Sequence, residues 1–197
     1  MEKQTNISGK DLPTTEQLRK ELQREKHKHN FAVSLRSTLF GLVTVAAAAI
    51  LVAVLLLPVL RIYGSSMSPS LSEGDIVLSI KGGDFETGDV IAFYYNNKVL
   101  VKRVIAQAGE WVNIDADGNV YVDNRRIEEP YLTEAPALGD CNIPLPYQVP
   151  ESKLFVMGDN RSVSVDSRNT AVGCVAEEQI VGKVTFCVWP LNHFGIK

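Results

Sequence analysis

The sequence predicts a mainly β domain, compact and barrel-like, preceded by one transmembrane helix. Three observations carry this. Leu39 to Leu60 is an uncharged run of 22 residues. Beyond Met67 the chain breaks into short apolar runs separated by turn formers, and few stretches there have helical periodicity. At 197 residues the chain has room for one ordinary domain beside an anchor.

Taken in order, residues 1–12 are polar without apolar periodicity, which predicts disorder. Thr14, with Gln17 three positions on, has the spacing of a helix cap, and Leu18 and Leu22 share a face. A short juxtamembrane helix is expected there, its basic side either solvated or touching anionic lipid. The run 39–60 follows; as a helix it would span roughly 33 Å, enough for a hydrocarbon layer of about 30 Å. A cleaved signal peptide usually has a shorter apolar core, so the segment reads as an anchor with Pro58 in its last turn. Arg19, Lys20, Arg24, Lys26, Lys28 and Arg36 precede it, and only Arg61 follows closely. The positive-inside tendency therefore puts residues 1–38 in the cytoplasm and residues 61–197 outside the membrane.

In that outer part, strands are expected at Asp75–Ile80, Asp89–Tyr95, Val99–Ile105, Trp111–Ile114, Asn119–Val122, Leu154–Met157 and Ile180–Trp189. Asn96-Asn97-Lys98 and Asp115-Ala116-Asp117-Gly118 read as hairpin connections, and the proline-rich stretch 128–150 reads as a surface excursion. A net charge of -3 offers no electrostatic case for nucleic acid as a partner. Cys141, Cys174 and Cys187 match no metal spacing, so no metal or cofactor is expected; one disulfide or three isolated thiols both remain open, the latter favoured.

Three segments have the residue types of a reaction centre. Ser66 lies in Gly64-Ser65-Ser66-Met67-Ser68-Pro69-Ser70-Leu71, directly after the anchor. A serine hydroxyl needs a neighbouring base to become a nucleophile. His27 and His29 precede the anchor and His193 is near the end, so none is placed to serve by sequence. Lys102 is the economical base: in a strand it shares a face with Leu100 and Val104, where desolvation lowers its pKa. Arg103 points the other way, with Val101 and Ile105. The third segment, Gly158-Asp159-Asn160-Arg161-Ser162-Val163-Ser164-Val165-Asp166-Ser167-Arg168, is dense in turn formers and hydrogen-bonding groups. Asp159, Ser164, Asp166 and Arg168 are expected to support the site, Ser164 by orienting the lysine amine and Asp166 by pairing with Arg168. Each segment has a plainer reading by itself: a linker, an edge-strand charge pair, an exposed loop. Together they point to a membrane-anchored serine protease.

The combination resembles the bacterial type I signal peptidases, membrane-bound Ser/Lys endopeptidases that remove signal peptides from exported proteins. Gly64 to Leu71 is similar to that family's G-x-S-M-x-P-T-L box, with Ser70 in place of threonine; Gly88 to Phe93 and Val101 to Ile105 are similar to its lysine box; Gly158 to Arg168 is similar to its G-D-N-R-x-x-S-x-D-S-R box; and Trp189-Pro190 also fits. The resemblance implies Ser66 as nucleophile and Lys102 as general base, with secretory pre-proteins and the lipid bilayer as partners. It implies an extended substrate that pairs with backbone near Val99, Leu100 and Val101, in small pockets walled by Met67 and Leu71. Three departures stand out. Ser162-Val163 replaces the usual Asp-Asn, Ala106-Gln107-Ala108-Gly109-Glu110 replaces G-x-P-G-D, and Gly64 stands where some members offer a serine hydroxyl to the oxyanion. The Ser66 backbone N–H must then contribute there, with a second donor that the sequence does not identify. A catalytically impaired β-domain that binds exported proteins is the main alternative. A self-cleaving Ser/Lys regulator would usually have a DNA-binding segment and no span, and a sortase would need Cys, His and Arg together.

Overall fold

The computed structural model describes residues 13–133 and 138–196, with the side chains of residues 54–56 left out. The disorder expected of residues 1–12 therefore lies outside the described residues. The chain divides into two units, Met1–Val52 and Ala53–Lys197.

One helix, α1, runs without a break from Thr15 to Leu56. Its start follows the predicted cap: the Thr14 N–H donates to Gln17 Oε1 at 2.9 Å, and Leu18 N–H to Thr14 O at 3.0 Å. The separate juxtamembrane helix and span are thus a single element, because no proline interrupts residues 15–56 and the one glycine, Gly41, is tolerated. An 18-residue window in it has mean hydropathy 2.0, so by length and composition it can cross a membrane. It stops earlier than expected. Leu57 N–H still bonds Ala53 O at 2.8 Å, but Pro58 has no N–H to donate and disfavours helical backbone at the residue before it. Pro58 is therefore past the helix, and Val59–Arg61 forms a strand, β1.

The second unit is built of antiparallel strands: β1, β2 (Ile76–Ile80), β3 (Val90–Tyr95), β4 (Lys98–Ala106), β5 (Trp111–Ile114), β6 (Val120–Val122), β7 (Arg125–Arg126), β8 (Tyr147–Gln148), β9 (Lys153–Met157), β10 (Val175–Ala176), β11 (Ile180–Trp189) and β12 (Gly195–Ile196). The larger sheet has the order β1-β2-β11-β3-β4-β9-β10, with β12 also on β11; the smaller has the order β7-β6-β5-β8. Every strand expected from the short apolar runs is present, β6 reduced to three residues. The further short pieces β1, β7, β8, β10 and β12 have too few residues to show such a run; their partners define them.

Alternation also divides the core. Ile62, Met67, Leu71, Val77, Val90, Ala92, Val181, Val184 and Cys187 pack on one side of the large sheet, directly beneath the Ser66 segment. Ile91, Phe93, Val104, Leu154, Val156 and Val175 form a second cluster. Val112, Ile114 and Val120 of the small sheet join Ile105, Phe155 and Met157 in a third. β4 reaches all three clusters, Val101 packing against the first, Val104 entering the second and Ile105 the third. None of the three cysteines is in a disulfide, as the favoured reading of the thiols expected.

Candidate active site

The segment from Ile62 to Asp75 leaves β1 and returns to β2 as a closed loop. Ile62 N–H donates to Asp75 O at 2.8 Å, and Gly74 N–H to Ile62 O at 2.9 Å. Met67 and Leu71 anchor the loop by burying their side chains in the first core cluster. Gly64, with φ of 79°, makes the left-handed turn that would strain any residue with a Cβ. Ser66 follows, partly exposed, and its carbonyl accepts from Asn160 N–H at 3.0 Å.

Lys102 approaches from β4. Antiparallel pairing with β3 places it opposite Ile91. Its side chain is 3% exposed, and its amine donates to Ser66 Oγ at 2.7 Å. Burial is the main reason its pKa falls from 10.5 to about 8; Asp166 and Asp159 push it back up, and Arg168 pushes it further down. Desolvation wins, as it must for an ammonium among aliphatic neighbours. A lysine so lowered exists in part as the neutral amine near neutral pH, when the same 2.7 Å contact lets Ser66 O–H donate to nitrogen. The Ser66 backbone N–H takes part in no hydrogen bond among the described residues.

The third segment packs behind these two. Asp166 and Arg168 are both completely buried and meet through two parallel bonds, Nε to Oδ1 at 2.8 Å and Nη2 to Oδ2 at 2.9 Å. Burial alone would raise the Asp166 carboxyl, but the Arg168 bonds and charge and the Gly158 N–H at 2.9 Å outweigh it and hold the carboxyl below its ordinary value. Arg168 also donates to Leu138 O at 2.7 Å and to Arg161 O at 3.0 Å, so one guanidinium pins two loops. Asp159 is held by Arg103 in the same two-pronged way, at 2.9 and 2.6 Å.

Two expectations are corrected. Ser164 was expected to orient the lysine amine, yet its buried Oγ has no hydrogen-bond partner. It sits near enough to Asp166 to help hold that carboxyl down, without proper bonding geometry. Space explains this: Ser164 is wedged against Gly158, where an added Cβ would fall 2.5 Å from Ser66 O and closer still to Ser164 Oγ. Leu71 was expected on a pocket wall; it is wholly buried and belongs to the core that supports the loop. The other proposed contact residues, Met67, Val99, Leu100 and Val101, do line a cavity of about 80 Å³ beside Ser66, facing Leu60, Ile62 and Tyr63.

The crowding at Gly158 leads to a direct prediction. Gly158→Ala should destabilise the protein by about 1–3 kcal/mol, as overpacking does, and slow the reaction by displacing Ser66. Urea unfolding and turnover measured on the same preparation check both.

Sequence reasoning missed what surrounds Arg103. Beyond Asp159, it donates to Gly88 O at 2.7 Å and Ser70 Oγ at 3.2 Å, and it lies over the Tyr131 ring at 4.0 Å. Tyr131 O–H donates to Glu129 at 2.8 Å, and Glu129 pairs with Arg161. Burial, then the Glu129 charge, pushes the Tyr131 phenol far above its usual range. The only sequence signal was a charge beside Lys102 on a strand too apolar to leave it unpaired.

A serine hydroxyl in contact with a desolvated lysine is an arrangement suited to acyl-transfer hydrolysis, and comparison with known proteins gives the class as serine endopeptidase. The chain belongs to the signal peptidase family, peptidase S26, whose match covers residues 35–189. It is 38% identical over 153 residues to signal peptidase IB of Staphylococcus aureus (strain Mu50 / ATCC 700699), covering 68% of this chain and 78% of the relative. It is 36% identical over 168 residues to signal peptidase I T of Bacillus subtilis (strain 168), covering 74% and 84%. The crystal structure of a signal peptidase I from Enterococcus faecalis V583 is 29% identical, with TM-score 0.44, over 52% of this chain and 98% of that one. The bacterial type I signal peptidase expected from the motifs is the family found.

Proposed function

We propose that this chain removes signal peptides from secretory pre-proteins, with Ser66 as nucleophile and Lys102 as general base. The observation that carries this is the 2.7 Å contact between Ser66 Oγ and a lysine nitrogen held out of water. Neutral Lys102 takes the Ser66 proton as Oγ attacks the scissile carbonyl, and the Ser66 N–H faces the developing oxyanion. The C–N bond breaks, and Lys102 returns the proton to the leaving amine. It then takes a proton from water as the water oxygen attacks the acyl-enzyme ester, and returns that proton to Ser66 Oγ as the ester C–O bond breaks. Asp159, Ser164, Asp166 and Arg168 support the site by holding the loop behind the lysine.

The substrate adds a strand to β4. Residues Lys98–Lys102 pair with β3 on one side, whereas β9 pairs with β4 only from Arg103 onward, which leaves the other backbone edge of Val99–Val101 open. The adjoining cavity of about 80 Å³ suits small side chains before the cut. Membrane placement rests on charge and hydropathy: α1 is a single-pass anchor, residues 1–38 are cytoplasmic, and the peptidase domain works at the outer surface.

The test is to incubate the detergent-solubilised full chain with a pre-protein across pH 6–10 and sequence the new N-terminus. The active lysine is the neutral form. Cleavage per unit of enzyme at low substrate should therefore rise about tenfold per pH unit below the lysine pKa and level off above it, with the bend near 8. A flat profile, or cleavage elsewhere than after a small residue, would count against the assignment.

A further inference from the structure

The C-terminal segment takes no part in the proposed chemistry. Asp75, at the base of the Ser66 loop, is 1% exposed. Its Oδ2 accepts from Ser72 N–H at 2.9 Å, and its backbone closes the loop on Ile62. Among the described residues the carboxylate meets one further group, the imidazole of His193, with Nδ1 3.0 Å from Oδ1 and 3.3 Å from Oδ2. A carboxylate only accepts, so Nδ1 carries the proton and donates. His193 is brought there by β11, whose last residue, Trp189, lies opposite Ile76, the residue after Asp75. The turn that follows is closed by His193 N–H to Pro190 O at 2.9 Å.

We infer that His193 is a positioning residue: by holding Asp75 it fixes the neck of the Ile62–Asp75 loop and so the approach of Ser66 Oγ to Lys102. This rests on the reading of Ser66 as nucleophile. The loop has other tethers: the apolar anchors Met67 and Leu71, the Asn160 N–H on Ser66 O, and Arg103 on Ser70 Oγ. Those fix its depth and its tip. His193 and Ser72 fix the carboxylate at its base, which is otherwise buried away from any donor. Displacements well under 1 Å at a reacting atom are enough to slow a reaction severalfold. Substrate binding depends mostly on the β4 edge, which His193 does not touch.

The test uses the full chain in detergent with a pre-protein substrate. His193→Ala should lower kcat about 5- to 10-fold with KM changed less than about twofold, and the bend of the pH profile should stay in place because Lys102 burial is untouched. His193→Asn, whose amide can donate from nearly the same position, should restore most of the rate. Phe194→Ala is the control: Phe194 packs edge-on against Phe186 at 4.8 Å in the same segment but takes no part in the Asp75 bond. It should lower the unfolding temperature without a matching loss of kcat. Adding His193→Ala to Asp75→Asn should cost nothing further, and Asp75→Asn alone serves if the alanine variant does not fold. A kcat for His193→Ala within twofold of the parent, no rescue by asparagine, or an equal loss in Phe194→Ala would overturn the inference. Ser66→Ala is assayed in parallel. If that variant still cleaves, the nucleophile assignment fails; if it is inert while His193→Ala is unaffected, only the positioning role fails.

Discussion

Lys102→Ala should reduce pre-protein cleavage to background, a loss of about 10⁴-fold, and Ser66→Ala should do the same, because the two act as one unit. Adding the second substitution to the first should cost almost nothing more. Lys102→Arg should be as inactive as alanine, since a guanidinium stays protonated and cannot serve as base. Single-turnover cleavage followed on gels measures all four. The same substitutions separate chemistry from folding. Lys102 has its pKa lowered from 10.5 to about 8, so between those values the unfolded chain binds more protons than the folded one. Its contribution to stability therefore rises with pH through that window, and below about 8 the buried ammonium weighs against the fold. Lys102→Met should unfold at a higher temperature than the parent at pH 7, with the gap narrowing as pH rises. An inactive variant that is more stable than its parent is the signature of a group retained for reaction. Residual cleavage above a hundredth of the parent rate in Lys102→Ala would remove the lysine from its role.

Asp166→Ala should be the most destabilising substitution near the site, at about 3–5 kcal/mol, because it removes the carboxylate that makes two bonds to a buried guanidinium. Arg168 is wholly buried, and besides Asp166 its guanidinium donates to backbone carbonyls, those of Leu138 and Arg161 among them. Those accept hydrogen bonds but do not neutralise a charge. Arg168→Met strips the same carboxylate of its partner and should cost a similar amount. The double variant Asp166→Leu/Arg168→Met should cost clearly less than the sum, since neither ion is then stranded. Urea unfolding of each variant gives the three values, and simple additivity would show that the pair does not act as a pair. Activity should fall with stability here, because the loop pinned by Arg168 carries Gly158 against Ser66 O.

Much of this molecule is legible in its residues, for local reasons. Thr14 and Gln17 mark the start of α1 because a cap needs only four residues. The longer strands from Ile76 to Trp189 show because each is a short apolar run bounded by turn residues, buried on both faces over much of β3, β4 and β9. The lowered pKa of Lys102 follows from its place between Leu100 and Val104. The end of α1 was misjudged because apolarity continues to Leu60 while geometry stops at Pro58; hydropathy counts side chains, and helix termination is a backbone matter. Leu71 was misplaced for a related reason, since a leucine in a motif looks the same on a pocket wall and beneath it.

The order of residues by itself determined the long apolar helix, the β class, Ser66 and Lys102 as candidates and the family, all of which depend on near neighbours or on residue type. Tertiary structure alone decided that Arg103 would meet Asp159 and Tyr131, that Ser164 would be wedged without a partner, and that His193 would close on Asp75. The contacts of Arg103 and of His193 join residues 28 to 118 positions apart. Their cause is the burial of charge: once the sheets pack, each ion taken from water must find its counterpart among whatever the fold brings near, and no local pattern records which one that will be.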